Sequence, residues 1–128
     1  MRLLVDTHTL IWAVDNTSRL STAATKTLQD PANELLMSAA TVWEIAIKYG
    51  QGKLPLTMPY RDWMQRVIAD LSLRLLPITI DYADAQAGLP RHHGDPFDRL
   101  LVAQCQVEQI PLVSADVIFD RYGVTRVW

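Results

Sequence analysis

Arg2-Leu3-Leu4-Val5-Asp6 places three consecutive aliphatic residues ahead of a carboxylate near the start of the chain. A strand with one face in water alternates apolar and polar side chains, whereas a strand covered on both faces carries an unbroken apolar run. The stretch therefore predicts a short buried strand over Arg2–Asp6. Comparable runs follow at Leu35–Ser38, Leu73–Pro77, Pro111–Ser114 and Val124–Val127, with helical patterning between them. Short strands alternating with helices, without hairpin signals, predict βαβ units and a mostly parallel sheet. Right-handed crossovers then put helices on both faces.

Outward from that strand, Thr7 or Thr9 opens a short helix through Trp12 and Val14, and Ser21 is placed to cap a second helix that runs to Asp30 before Pro31. Thr41–Tyr49 is the most apolar helical stretch, with Gly50 in the position of a C-terminal glycine. The segment Gly50–Pro59 is punctuated by glycine and proline and reads as a loop, and Pro59 reads as the first-turn proline of a helix over Tyr60–Leu71. Asp81–Ala87, Pro96–Gln109 and Val117–Tyr122 complete the predicted helices. No repeat or linker divides the 128 residues, which suit one domain.

An apolar fraction of 49% with a net charge of −2 excludes a disordered chain. Fourteen acids against twelve bases give no broad basic field of the kind that draws proteins to nucleic acid. The acidic excess lies in the half that holds Asp95, Asp98 and Asp116, so where the acids sit matters more than their sum. A lone Cys105 forms no internal disulfide and suits a reducing, cytoplasmic setting. The apolar runs fall short of the roughly 20 residues that span a bilayer, and Met1-Arg2 leads straight into the first strand without a signal-peptide pattern. No membrane association is expected.

In an open parallel sheet, ligands bind beyond the carboxyl ends of the strands. Asp6 sits at such an end, and Asp116 occupies the equivalent place after Pro111-Leu112-Val113-Ser114-Ala115; each is equally a helix-cap residue by position. Glu44 lies at the edge of the apolar helix, where an i,i+4 pair with Lys48 is the plainer reading. Asp98 falls in line with Leu101, Val102 and Cys105, at the top of the stripe that packs on the sheet. A carboxylate there costs several kcal/mol unless it is paired or metal-bound. Asp95-Pro96-Phe97-Asp98 also resembles a capping box, with Asp95 as the cap. Four acids at one end of one sheet repel one another and call for a cation, and oxygen-only ligation selects Mg²⁺ or Mn²⁺ over zinc. Such sites act on phosphate esters.

Four blocks, Leu4-Val5-Asp6-Thr7-His8-Thr9-Leu10-Ile11-Trp12, Ser38 to Lys48, Asp95-Pro96-Phe97-Asp98-Arg99-Leu100-Leu101-Val102-Ala103-Gln104 and Leu112-Val113-Ser114-Ala115-Asp116, together resemble the PIN domain, above all the VapC-type ribonuclease toxins of toxin–antitoxin modules. The resemblance runs from Leu3 to Trp128. It implies a three-layer α/β/α sandwich around a five-stranded parallel sheet, an Mg²⁺- or Mn²⁺-dependent endoribonuclease, a homodimer, and a cognate antitoxin whose C-terminal segment fills the acidic cleft. Carried over by position, it makes Asp6, Asp98 and Asp116 metal ligands and Glu44 the fourth catalytic acid. Thr7, Asp95 and Ser114 are auxiliary, with Asp95 either near the metal or only a helix cap.

For RNA phosphates, Arg91, His92, His93 and Arg99 beside the third block, and Lys48 and Lys53 after the second, are candidate contacts, although solvated surface charge is the plainer reading of each. Adjacent His92 and His93 lack partners at zinc-ligand spacing. The tryptophans Trp12, Trp43, Trp63 and Trp128 read as packing residues, and Cys105 as a small buried hydrophobe. The competing functional class is a catalytically inactive PIN-like module that binds RNA or protein; retention of all four acids argues against it.

Overall fold

The computed structural model describes every residue from Met1 to Trp128. In β1 (Arg2–Val5), Leu3, Leu4 and Val5 are fully buried. Successive strand residues face opposite ways. Leu4 accordingly packs in one core with Leu36, Leu76 and Leu112, while Leu3 and Val5 pack in the other with Leu35, Met37 and Val113. Each such side chain contributes about 1.5–3 kcal/mol on burial. A one-residue slip would exchange the two faces and draw Asp6 off the strand mouth, so the polar residues that bound the run, Arg2 and Asp6, set the register of the site.

After β1 come α1 (Thr7–Asp15), a 3-10 turn (Thr17–Arg19), α2 (Thr22–Gln29), β2 (Glu34–Ser38), α3 (Ala39–Gly50), α4 (Tyr60–Leu71), β3 (Arg74–Leu76), α5 (Ile80–Ala87), α6 (Pro96–Glu108), β4 (Leu112–Val113), a second 3-10 turn (Val117–Tyr122) and β5 (Arg126–Val127). The sheet has five strands in the order β3-β2-β1-β4-β5, and every pairing is parallel. Leu10, Ala24, Leu28, Ile45, Trp63 and Val67 bring α1 to α4 onto one face. Tyr82, Leu101, Val102, Cys105, Phe119 and Tyr122 bring α5, α6 and the second 3-10 turn onto the other. The result is the expected α/β/α sandwich. No helix is long and apolar enough to cross a membrane.

Several boundaries differ from the sequence reading. The strand stops at Val5 because Asp6 already caps α1, and β3, β4 and β5 are shorter than their apolar runs. Gly50 does not terminate α3 in the left-handed region; it is the last helical residue, Gln51 follows in helical geometry, and Gly52 takes φ 70°. Pro59 precedes α4 as its cap residue instead of lying in its first turn. Val117–Tyr122 winds as a 3-10 turn of six residues, which Gly123 at φ 74° ends.

The chain leaves β1 for β2 and β3 on one side and for β4 and β5 on the other. Strand order therefore reverses between β1 and β4, where a ligand crevice is expected.

Candidate active site

Asp6 and Ser114 flank that crevice. Oδ1 of Asp6 caps α1 by accepting the Thr9 backbone N–H at 2.8 Å, and Oδ2 accepts the Ser114 hydroxyl. Only 6% of Asp6 is exposed. That burial raises its pKa above the ordinary carboxylate value, against the lowering effect of the Ser114 and Thr9 hydrogen bonds. Ser114 Oγ also accepts the Asp116 backbone N–H at 3.0 Å, so one hydroxyl links both strand-end acids. Asp116 is exposed, caps the second 3-10 turn through the Ile118 N–H at 3.0 Å, and shares with Asp6, His8, Trp12 and Ala115 an open cleft of about 270 Å³.

Glu44 is buried in the second turn of α3. Its Oε1 accepts the Thr7 hydroxyl at 2.7 Å and its Oε2 contacts Lys48 Nζ at 2.5 Å, so the i,i+4 pair does form. The Thr41 and Thr7 hydroxyls lie 3.1 Å apart. Because Thr7 follows Asp6 directly, this contact ties Glu44 to the end of β1.

At the N-terminus of α6, Asp95 acts as the cap: its Oδ1 accepts the backbone N–H of Phe97 at 2.9 Å and of Asp98 at 3.0 Å. Asp98 projects from the first turn, with Oδ2 3.2 Å from His93 Nε2. Burial, followed by the charge of Asp95 and then that of Glu44, pushes the Asp98 pKa up to about 6, while the His93 contact opposes the rise. Asp98 is thus within electrostatic reach of the α3 acid.

The donor set is oxygen throughout, and the protein's own groups do not offset the cost of burying Asp6 and Asp98. Both features fit a hard divalent cation. As the side chains stand, no three His, Cys, Asp or Glu residues form a converged ligand set. Asp6 and Asp116 are linked through Ser114, Glu44 is tied to the end of β1 through Thr7, and Asp98 feels the charge of Glu44.

The proposed phosphate contacts separate. Arg91, His92 and Lys53 are exposed. Lys48 is engaged by Glu44. Arg99 is not a phosphate contact: it is 4% exposed, and its guanidinium donates to the carbonyls of Pro90 at 2.8 Å, Leu89 at 3.3 Å and Gln86 at 3.4 Å. Its place on the core stripe of α6 carries it inward, and carbonyls in the last turn of α5 and in the segment after it satisfy it. Of the two histidines, His93 faces the acids, whereas His92 packs edge-on against the Tyr122 ring at 4.8 Å. Sequence reasoning offered no role for Tyr122, which stands 24 residues beyond Asp98 with no patterned link to it.

The PIN domain family model matches residues 3–124. Ribonuclease VapC22 of Mycobacterium tuberculosis (strain ATCC 25618 / H37Rv) is 31% identical over 115 residues, covering 89% of this chain and 86% of the relative. Among solved structures, VapBC2 from Rickettsia felis, bound to a DNA fragment from its promoter, superposes with a TM-score of 0.76 at 14% identity over 98% of this chain and 97% of that chain. VapBC-1 from nontypeable Haemophilus influenzae gives a TM-score of 0.67 at 18% identity, over 98% and 96%. VapBC-5 from Mycobacterium tuberculosis, of the VapBC family of toxin-antitoxin systems, gives 0.61 at 15% identity, over 94% and 89%. The chain belongs to the PIN domain family, within its VapC group.

Proposed function

We propose that this protein is the ribonuclease toxin of a toxin–antitoxin pair: an endoribonuclease dependent on Mg²⁺ or Mn²⁺, with Asp6, Glu44, Asp98 and Asp116 as its catalytic acids. The observation that carries this reading is the pair of hydroxyl links at the mouth of β1, where Ser114 joins Asp6 to Asp116 and Thr7 joins the same strand end to Glu44. Acids distant in sequence are thereby held at one end of one sheet. The 31% identical relative is named a ribonuclease, which supports the choice of substrate class.

Asp6, Asp98 and Asp116 would hold the metal, which when bound supplies water activation and neutralises charge developing on the scissile phosphate. Glu44, fixed at one oxygen by Thr7 and at the other by Lys48, is the group that positions or deprotonates the attacking water. Ser114 holds the Asp6 carboxylate in place, and exposed Arg91, His92 and Lys53 supply phosphate contacts.

The partner is an antitoxin whose C-terminal segment enters the acidic cleft, with an arginine paired to its carboxylates. The functional unit is a homodimer. Exposed Trp43 and Ile78, which line an apolar hollow between α3, α5 and α6, support an association face.

RNA cleavage with and without Mg²⁺ or Mn²⁺, compared between wild type and the folded Asp6→Asn and Asp98→Asn variants, tests the reading. Metal-dependent cleavage by wild type and its loss in both variants are expected. Full activity in the variants would overturn the assignment, and RNA binding without cleavage by wild type would favour the inactive binding module.

A further inference from the structure

Arg99, Tyr122, His93 and Asp98 form a continuous hydrogen-bonded chain that ends at the third acid. Arg99 Nη1 lies 3.3 Å from the Tyr122 hydroxyl oxygen, that oxygen lies 2.7 Å from His93 Nδ1, and His93 Nε2 lies 3.2 Å from Asp98 Oδ2. Direction follows from what each group can do. A guanidinium only donates, so the tyrosine oxygen accepts from Arg99 and is left with one proton of its own to place. At the other end a carboxylate only accepts, so the proton on His93 sits on Nε2. A neutral imidazole with Nε2–H has a bare Nδ1, and the Tyr122 hydroxyl is the donor facing it. The buried cation of Arg99 favours this polarity, since it polarises the tyrosine O–H toward the ring.

We propose that Tyr122, anchored by Arg99, fixes His93 as its Nε2–H tautomer, and that His93 is a positioning residue orienting the Asp98 carboxylate toward the cleft. This rests on the reading of Asp98 as a metal-binding catalytic acid. The scaffold suits the task. Arg99 also clamps the carbonyls of Gln86, Leu89 and Pro90, which lead into the histidine pair, and the His92 ring packs against the other partner, Tyr122. His93 is thus held from both ends. Donors that hydrogen-bond a ligating group set its orientation, and their loss typically costs about 10- to 100-fold in metal affinity or activity.

The test has two arms. In the first, imidazole ¹⁵N shifts of the metal-free protein are recorded above the histidine titration range, with His93 assigned by its disappearance in His93→Gln. Wild type is expected to show Nε2–H at His93, and Tyr122→Phe a mixture of tautomers. An Nδ1–H ring in wild type, or an unchanged ring in Tyr122→Phe, would overturn the proposal. In the second arm, Mn²⁺ affinity is measured by calorimetry on variants whose folding is checked by thermal denaturation. His93→Ala is expected to bind about 10- to 100-fold more weakly, and His93→Gln, which keeps an N–H near the Nε2 position, to recover most of the loss. If Asp98→Asn binds Mn²⁺ like wild type, the underlying reading fails; if it loses binding while His93→Ala keeps it, this inference alone fails.

Discussion

The Thr7 hydroxyl donates to Oε1 of Glu44 at 2.7 Å across the seam between α1 and α3, and both residues are buried. Thr7→Val keeps the shape and removes the donor, leaving a buried carboxylate oxygen without that partner. The expected cost is about 1–3 kcal/mol, read from urea denaturation. Thr7→Ser keeps the hydroxyl and should stay close to wild type in stability and in RNA cleavage, whereas Thr7→Val should lose both.

Asp98 carries a folded-state pKa of about 6 against an ordinary 3.8, because burial and the neighbouring acids disfavour its charge. The folded chain then binds the proton more tightly than the unfolded chain, so this group's contribution to stability falls as pH rises from about 3.8 through about 6. Asp98→Asn removes that slope. Without added metal, the variant is expected to melt higher than wild type above this window and to lose its advantage below it, while its RNA cleavage is abolished. Thermal melts across the pH range check the sign.

Arg99 and Arg91 should behave oppositely. Arg99→Met removes the guanidinium from three carbonyls; those of Gln86 and Pro90 keep the backbone N–H groups of Leu89 and His92, while that of Leu89 loses its donor, at about 1–3 kcal/mol. Denaturation should show a marked loss of stability. Arg91→Ala should leave stability unchanged, weaken RNA binding across sequences, and lower the salt slope of binding by about 1.

Burial pushes the Cys105 thiol up to about 12. The thiolate is the reactive form, so iodoacetamide should label native protein very slowly at neutral pH. Urea should accelerate labelling in step with unfolding, because the thiol is exposed when the α6 core opens. Rapid native labelling, followed by mass spectrometry, would contradict this.

The architecture was readable because strands buried on both faces leave unbroken apolar runs, and β1 shows this in three residues. The strand-end acids were readable for the same reason: Asp6 and Asp116 each follow such a run. Arg99 was misread because a charged residue in a motif beside an acid looks solvent-facing, and only the carbonyls of residues 86–90 reveal where its charge is satisfied. The roles of His93 and Tyr122 were hidden because they depend on a contact between residues 29 apart, which no local periodicity encodes. Gly50 was misplaced by two residues because a second glycine, Gly52, was available to take the left-handed turn.

The Ser114 hydroxyl and the Asp6 carboxylate it engages are separated by 108 residues, and the central strand β1 is completed on one side by β4, near the far end of the chain. During synthesis, β1 and β2 leave the ribosome long before β4 exists. A nascent chain ending short of Ser114 has Asp6 without its hydroxyl partner and lacks Asp116 altogether. The parallel topology thus delays completion of this end of the sheet, with Asp6, Ser114 and Asp116 together, until translation is nearly complete.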